Sequence, residues 1–148
     1  MNWIQCLSKA IDYIEKHLTD DINIDEVSNQ SYASSSHFQL IFHLVTGMTV
    51  GEYIRSRRLS LAAQDLLRSD RIIDVAMRYQ YDTQESFSKA FARFHGVSPS
   101  KAQRGQIKLF YPLTINVSIQ GGFNMSHKLI EEFYWRDANG QNNAMSTG

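Results

Sequence analysis

The chain has 148 residues, 43% hydrophobic and 11% aromatic, with 15 basic and 15 acidic side chains and a formal net charge of zero. Such a length holds one ordinary domain, or two very small ones sharing a connecting element, and the composition is that of a folded soluble protein. The lone Cys6 excludes an internal disulfide, and the absence of a bilayer-length apolar run or a secretory N-terminus points to a cytoplasmic protein without a membrane partner.

Trp3, Ile4, Leu7, Ile11, Ile14 and Leu18 recur at 3-4 spacing and predict an amphipathic first helix. Asn23 with Glu26 reads as a capping box for a second helix over about 24–30. Ser34 caps a third helix over about 35–45, with Phe38, Ile41, Phe42 and Val45 on its buried stripe and Gly47 as its left-handed stop. Thr49 and Glu52 form another capping box and open a long fourth helix that runs to about Arg68.

That fourth helix carries Leu59, Ala62, Ala63, Leu66 and Leu67 on one stripe and Tyr53, Ile54 and Leu61 on another side, the pattern of a strut between two subdomains. Ile72, Ile73, Val75 and Ala76 begin a fifth helix. Thr83 caps a sixth, whose Phe87, Ala90, Phe91 and Phe94 face inward before Gly96 ends it. Ser98-Pro99 opens a last short helix, with proline at the first helical position. Beyond Gly105, Leu113, Ile115, Val117 and Ile119 alternate with polar residues like a strand, and the stretch from Asp137 reads as disordered.

The chain also repeats itself. Phe38, Phe42, Gly47 and Thr49 are matched 49 positions later by Phe87, Phe91, Gly96 and Ser98, and Arg55 by Arg104. A period seen only twice is not a solenoid but one supersecondary unit used twice. Short helix, tight turn and a longer helix opening on small polar residues is helix-turn-helix grammar, whose second helix enters a DNA major groove. Charge is distributed unevenly. Residues 1–54 hold 2 basic and 7 acidic side chains, residues 55–108 hold 11 and 5, and the remainder 2 and 3. The second unit is therefore locally basic on a neutral chain.

These residues resemble the DNA-binding domain of the AraC/XylS family of bacterial transcription regulators. The likeness rests on Ile24 to Val27, His37, Phe38, Gln39, Phe42, Thr46-Gly47, and the run Glu52 to Leu59. Its most specific part is Gln84 to Phe91, followed by Phe94 and Gly96 to Ser100. Within the family the resemblance is strongest to the MarA/SoxS/Rob group, small activators that bind DNA as monomers. It implies an all-α fold of about seven helices. Two helix-turn-helix subdomains, about 1–49 and 69–104, would be joined by a linker helix over about 50–68, with a C-terminal extended tail. The segment Phe110 to Gly122 resembles the junction into the effector-sensing domain of Rob-like members. Residues 105–148 thus read as a linker and stub, too short to fold that domain.

The resemblance implies a sequence-specific transcription regulator, an activator recruiting RNA polymerase, that needs no cofactor or metal and acts as a monomer on double-stranded DNA at the nucleoid. The base-contact candidates are Ser36, Gln39, Leu40 and His43 on the third helix and Gln84, Glu85, Ser86 and Lys89 on the sixth. The phosphate-contact candidates are Ser34, Arg55, Arg57, Arg78, Thr83, Arg93, Lys101 and Arg104. Gln can grip an adenine edge and Lys can donate to guanine O6 and N7. Leu40 stands where well-known members carry arginine, and Ser36 where they carry tryptophan, so the first unit is expected to read sequence weakly. Tyr32 and Gln80 stand where both family turns usually carry glycine, which predicts less tight turns.

The competing reading is a helical protein-interaction module with weakened DNA specificity, motivated by Ser36, Leu40 and the zero net charge. An enzyme is not expected, because no nucleophile–base pair, carboxylate dyad, metal cluster or phosphate loop is present. The DNA-repair activity of some AraC-like proteins needs metal-binding cysteines that a single Cys6 cannot supply.

Overall fold

The computed structural model describes residues 2–118 and Gly121. The stub proposed for residues 105–148 and the disorder expected beyond Asp137 fall largely or wholly outside these residues. Among the described residues six α-helices succeed one another: α1 Trp3–Lys16, α2 Ile24–Asn29, α3 Ser35–Thr46, α4 Val50–Leu67, α5 Ile72–Arg78 and α6 Gln84–His95. The seventh helix expected after Ser98 is only a 3-10 turn, Pro99–Lys101, and a second such turn spans Arg104–Gln106. No strand forms among the described residues. Leu113 and Ile115 lie in extended chain and pack on the helices, Val117 is exposed, and Ile119 lies outside the described residues.

Local chemistry fixes most helix ends. Asn2, Ser34, Thr49 and Thr83 each accept a backbone N–H from the first turn of α1, α3, α4 and α6. At α4 the box is reciprocal, with both the Glu52 N to Thr49 Oγ1 and the Thr49 N to Glu52 Oε2 bonds at 3.1 Å. The box read at Asn23 and Glu26 does not form. Asn23 accepts from Asp25 N at 2.7 Å, and the Glu26 carboxylate accepts instead from the Tyr13 hydroxyl at 3.0 Å. Gly47 and Gly96 end α3 and α6 at φ 74° and 81°, where a side chain would be strained.

The expected loosening of the two helix-turn-helix turns does not occur. Tyr32 and Gln80 adopt φ 55° and 69°, keeping the left-handed turn without glycine. At the second turn a specific bond accompanies this conformation, because Gln80 Nε2 donates to the Thr19 carbonyl at 2.7 Å.

Two separate hydrophobic cores result. The first gathers Leu7, Ile11 and Ile14 of α1, Val27 of α2, Phe38 and Phe42 of α3, and Val50, Tyr53 and Ile54 of α4. The second gathers Leu59, Ala62 and Ala63 of α4, Val75 and Ala76 of α5, and Phe87 and Phe91 of α6. Each repeated phenylalanine pair is thus the centre of its own core. The two apolar patches of α4 serve different cores because they lie in different halves of the helix, and Leu61 touches both.

The packed body does not end near Arg104 but continues to Ile115. Residues 107–115 run as an extended strap along α4. Ile107 packs on the second core, and Phe110, Leu113 and Ile115 pack on the first. Its backbone is held by side chains at Lys108, Phe110 and Leu113. Lys108 N donates to His95 Nδ1 at 2.9 Å, Phe110 N to Ser60 Oγ at 2.9 Å and Leu113 N to the Tyr53 hydroxyl at 3.3 Å, while the Phe110 carbonyl accepts from Arg57.

His95 is buried, with Nε2 donating to the Leu59 carbonyl at 2.9 Å and Nδ1 accepting from Lys108 N. These partners specify a neutral ring, and burial holds its pKa below the ordinary 6.5 despite the Leu59 carbonyl. The unfolded chain then takes up this proton first on acidification. The contribution of His95 is complete above pH 6.5 and declines as pH falls from there toward its lower folded-state pKa. Urea midpoints measured across that window should fall with pH in the native chain and fall less in His95→Gln.

Candidate nucleic-acid interface

The third and sixth helices each bury one stripe and leave the opposite one in water. On α3, Ser36, Gln39, Leu40 and His43 are all exposed, while Phe38 and Phe42 are buried. On α6, Gln84, Glu85, Ser86 and Lys89 are exposed, while Phe87 and Phe91 are buried. All eight base-contact candidates therefore lie on accessible helix faces, four from each repeat.

The two faces differ chemically. The α3 face is neutral or weakly basic and includes Leu40 at 55% exposure. Gln39 Nε2 donates back to Ser35 Oγ at 3.2 Å. The α6 face is charged, and Lys89 Nζ lies 3.0 Å from Glu85 Oε1 with both side chains about three-quarters exposed. Ser86 is partly committed to the cap, its hydroxyl donating to the Thr83 carbonyl at 3.0 Å. Ser34 and Thr83 are exposed caps whose first-turn amides define the positive ends of α3 and α6.

The phosphate candidates divide sharply. Arg55, Arg93, Lys101 and Arg104 are exposed and make no ion pair with the described residues. Arg57 is a correction, because it is 6% exposed and commits Nε and Nη2 to both Glu15 oxygens at 2.7–3.1 Å. A guanidinium closed in by a carboxylate and the Phe110 carbonyl has no face left for a phosphate. Arg78 is engaged in part, with 37% of its side chain left exposed. Its Nη1 bridges Asp65 at 2.7 Å and Asp70 at 2.9 Å, and these partners, Asp70 foremost, raise its already high pKa. This cluster ties α5 to the end of α4, and Asp65 further accepts from the Tyr79 hydroxyl at 2.6 Å.

Arg68 and Lys108 are exposed cations that make no ion pair among the described residues and that sequence reasoning did not single out. Nothing in their spacing distinguishes them from solvated charge. An open cleft of about 670 Å³ lies alongside α4, lined by Arg55 and Arg58, by Gln80 and Tyr81 of the second turn, and by Arg93 and Phe94 of α6. Arg58 is a structural cation here, donating to the carbonyls of Leu18 at 2.9 Å and Asp20 at 2.7 Å. Among the described residues, no group of three or more His, Cys, Asp or Glu side chains is placed to hold a metal ion. No helix among them is long and apolar enough to cross a membrane.

Residues 27–105, which contain both repeats, match the family model described as a helix-turn-helix domain. The chain belongs to the AraC/XylS family of DNA-binding transcription regulators. It is 41% identical to the regulatory protein SoxS of Salmonella typhimurium over 101 residues, covering 68% of this chain and 94% of SoxS. It is 39% identical to the HTH-type transcriptional activator AarP of Providencia stuartii over 95 residues, covering 64% of this chain and 70% of AarP. Among solved structures it resembles the DNA-binding domain of AdpA, a global transcriptional factor crystallised with a target DNA. That match has a TM-score of 0.58 at 23% identity and covers 65% of this chain and 87% of that one. At that identity the AdpA likeness establishes the fold alone, and the two curated relatives and the family model carry the AraC/XylS membership.

Proposed function

We propose that the chain is a sequence-specific transcription activator that sets α3 and α6 into adjacent major grooves of one duplex as a monomer and recruits RNA polymerase in the cytoplasm. One observation carries this reading: two exposed polar helix faces are mounted on two cores that share the 18-residue helix α4. That helix is about 27 Å long at 1.5 Å per residue. Successive major-groove faces on one side of B-DNA lie about 34 Å apart, a span that one helix plus the width of its attached units can reach. A remaining mismatch is taken up by bending the duplex, at a cost of order 1–6 kcal/mol.

In this reading Lys89 and Glu85 read the second half-site, Lys89 donating to guanine and Glu85 accepting from cytosine N4. Gln39 reads adenine and Leu40 meets a thymine methyl in the first. Arg55, Arg93, Lys101 and Arg104 hold phosphates, as do the first-turn amides beyond Ser34 and Thr83. The names SoxS and AarP support a regulatory role, and the activator designation of AarP favours activation.

Binding sites are to be selected from a random DNA pool and the affinity then titrated against salt. The expected log–log slope is about −0.9 per phosphate contacted. A flat response with no selected motif would favour a protein-interaction module, to which the exposed Leu40 and Leu44 would then contribute. Leu40→Arg should add a guanine preference to the first half-site. An unchanged selected motif would mean that α3 does not enter a groove.

A further inference from the structure

A single shared helix is a poor guarantee of alignment, because helices bend and two small bodies attached to opposite halves can swing about it. This chain holds its two cores together by more than α4. On one side the strap of residues 107–115 is fastened to both. Ile107 packs on the second core, and Lys108 N bonds His95, the last residue of α6. Phe110 N then bonds Ser60 midway along α4, and Phe110, Leu113 and Ile115 pack on the first core, with Leu113 N held by Tyr53. Arg57 fastens the middle of the strap by joining its Phe110 carbonyl to Glu15 of α1.

A second link crosses elsewhere. Gln80, in the turn that leads into α6, donates to the Thr19 carbonyl of the α1–α2 loop. That loop is itself pinned to α4 by Arg58 through the Leu18 and Asp20 carbonyls. Gln80 keeps a left-handed φ of 69°, where glycine would be unstrained, and its side chain makes a bond that glycine could not.

We infer that the strap and the Gln80–Thr19 bond are two braces that fix the relative pose of α3 and α6, making Gln80, Lys108 and Phe110 positioning residues for two-groove reading. The strap is thus part of the reading apparatus and no passive tether. The inference rests on the proposed function only for its consequence on DNA, since the bracing itself is a property of the free chain.

Gln80→Gly separates positioning from stability. It removes the brace while relieving the left-handed residue, so the lost hydrogen bond and the relieved strain oppose each other, and a purely structural role predicts a small shift in melting temperature with no change in pose or spacing penalty. Lys108→Pro deletes the N–H that holds His95, and Phe110→Ala removes the ring packed against Tyr53. Should the strap variants fail to fold, Ser60→Ala withdraws only the hydroxyl that accepts from Phe110.

In the full chain, with Cys6→Ala, nitroxides attached through Gln39→Cys and Gln84→Cys report the α3 to α6 distance by pulsed electron resonance. A narrow distribution is expected for the parent, and a clearly broader one for Gln80→Gly combined with a strap variant. Equal widths would overturn the braces. On a selected DNA site, inserting one base pair between half-sites should cost the parent at least tenfold more affinity than the unbraced variant, since preorganisation is what the braces supply. Equal spacing penalties would deny the braces a role in reading. Broadened distances in a chain whose parent binds no DNA would sink the DNA reading and leave the braces standing.

Discussion

Replacing Arg57 by alanine should lower the stability of the chain by about 3 kcal/mol, because removing one member of a buried ion pair strands the other. The Glu15 carboxylate would keep only the Tyr53 hydroxyl at 2.9 Å, and the Phe110 carbonyl would lose its guanidinium donor. Glu15 keeps 21% of its side chain in water, which places the expected loss at the lower end of the range for such pairs. Burial and the Glu15 bond together raise the Tyr53 pKa, so Tyr53 remains a donor to Glu15 in the variant. Urea unfolding at an unchanged m-value measures the effect. The double change Arg57→Met with Glu15→Leu should recover most of the loss, since an apolar pair of similar volume needs no desolvated charge. A loss under about 0.5 kcal/mol would mean that water screens this pair as it does a surface one. The folded fraction of Arg57→Ala should keep the parent's salt slope, because Arg57 contacts no phosphate in this account.

Lys89→Ala should cost roughly 1–3 kcal/mol of discrimination between the selected site and its single-base variants in the second half-site. Lys89 is the exposed cation of the α6 reading face, one helical turn from Glu85, and the free chain pairs the two at 3.0 Å. Removing it does two things. It deletes a base donor, and it frees a carboxylate that then faces phosphates, which weakens every sequence alike. Adding Glu85→Gln should restore the uniform part but none of the discrimination, since Glu85 is itself assigned to cytosine N4. If Lys89→Ala instead weakens all sequences equally and Glu85→Gln leaves part of that loss in place, Lys89 acts on the backbone and does not read bases.

Much of the fold was legible because its signals are local. Caps at Ser34, Thr49 and Thr83 and left-handed stops at Gly47 and Gly96 mark helix ends in any context. The repeated phenylalanine pairs announce two cores of the same design. The fate of the arginines was less legible, since charge alone does not say which way a helix turns. Even so, Val50, Tyr53, Ile54 and Arg57 lie on one 3-4 stripe, a sign that Arg57 shares the buried face.

What sequence could not supply was long-range pairing. Glu15 lies 42 residues from Arg57, and Ser60 lies 50 residues from Phe110. Only folding brings these groups together, and the alternating apolar residues of the strap looked like a strand without a partner. The left-handed Tyr32 and Gln80 teach a related lesson. Intrinsic preference argued for a looser turn, but the packed helices on both sides fix the backbone and the residue accepts the strain.

The measurement closest to the heart of the account is methylation interference on a selected DNA site, scoring guanines whose N7 must stay free. Two patches of interference are expected on one face of the duplex, about 10 base pairs apart, with the stronger one under α6. A single patch, or two that lie on opposite faces, would contradict the claim that one chain reads two neighbouring grooves.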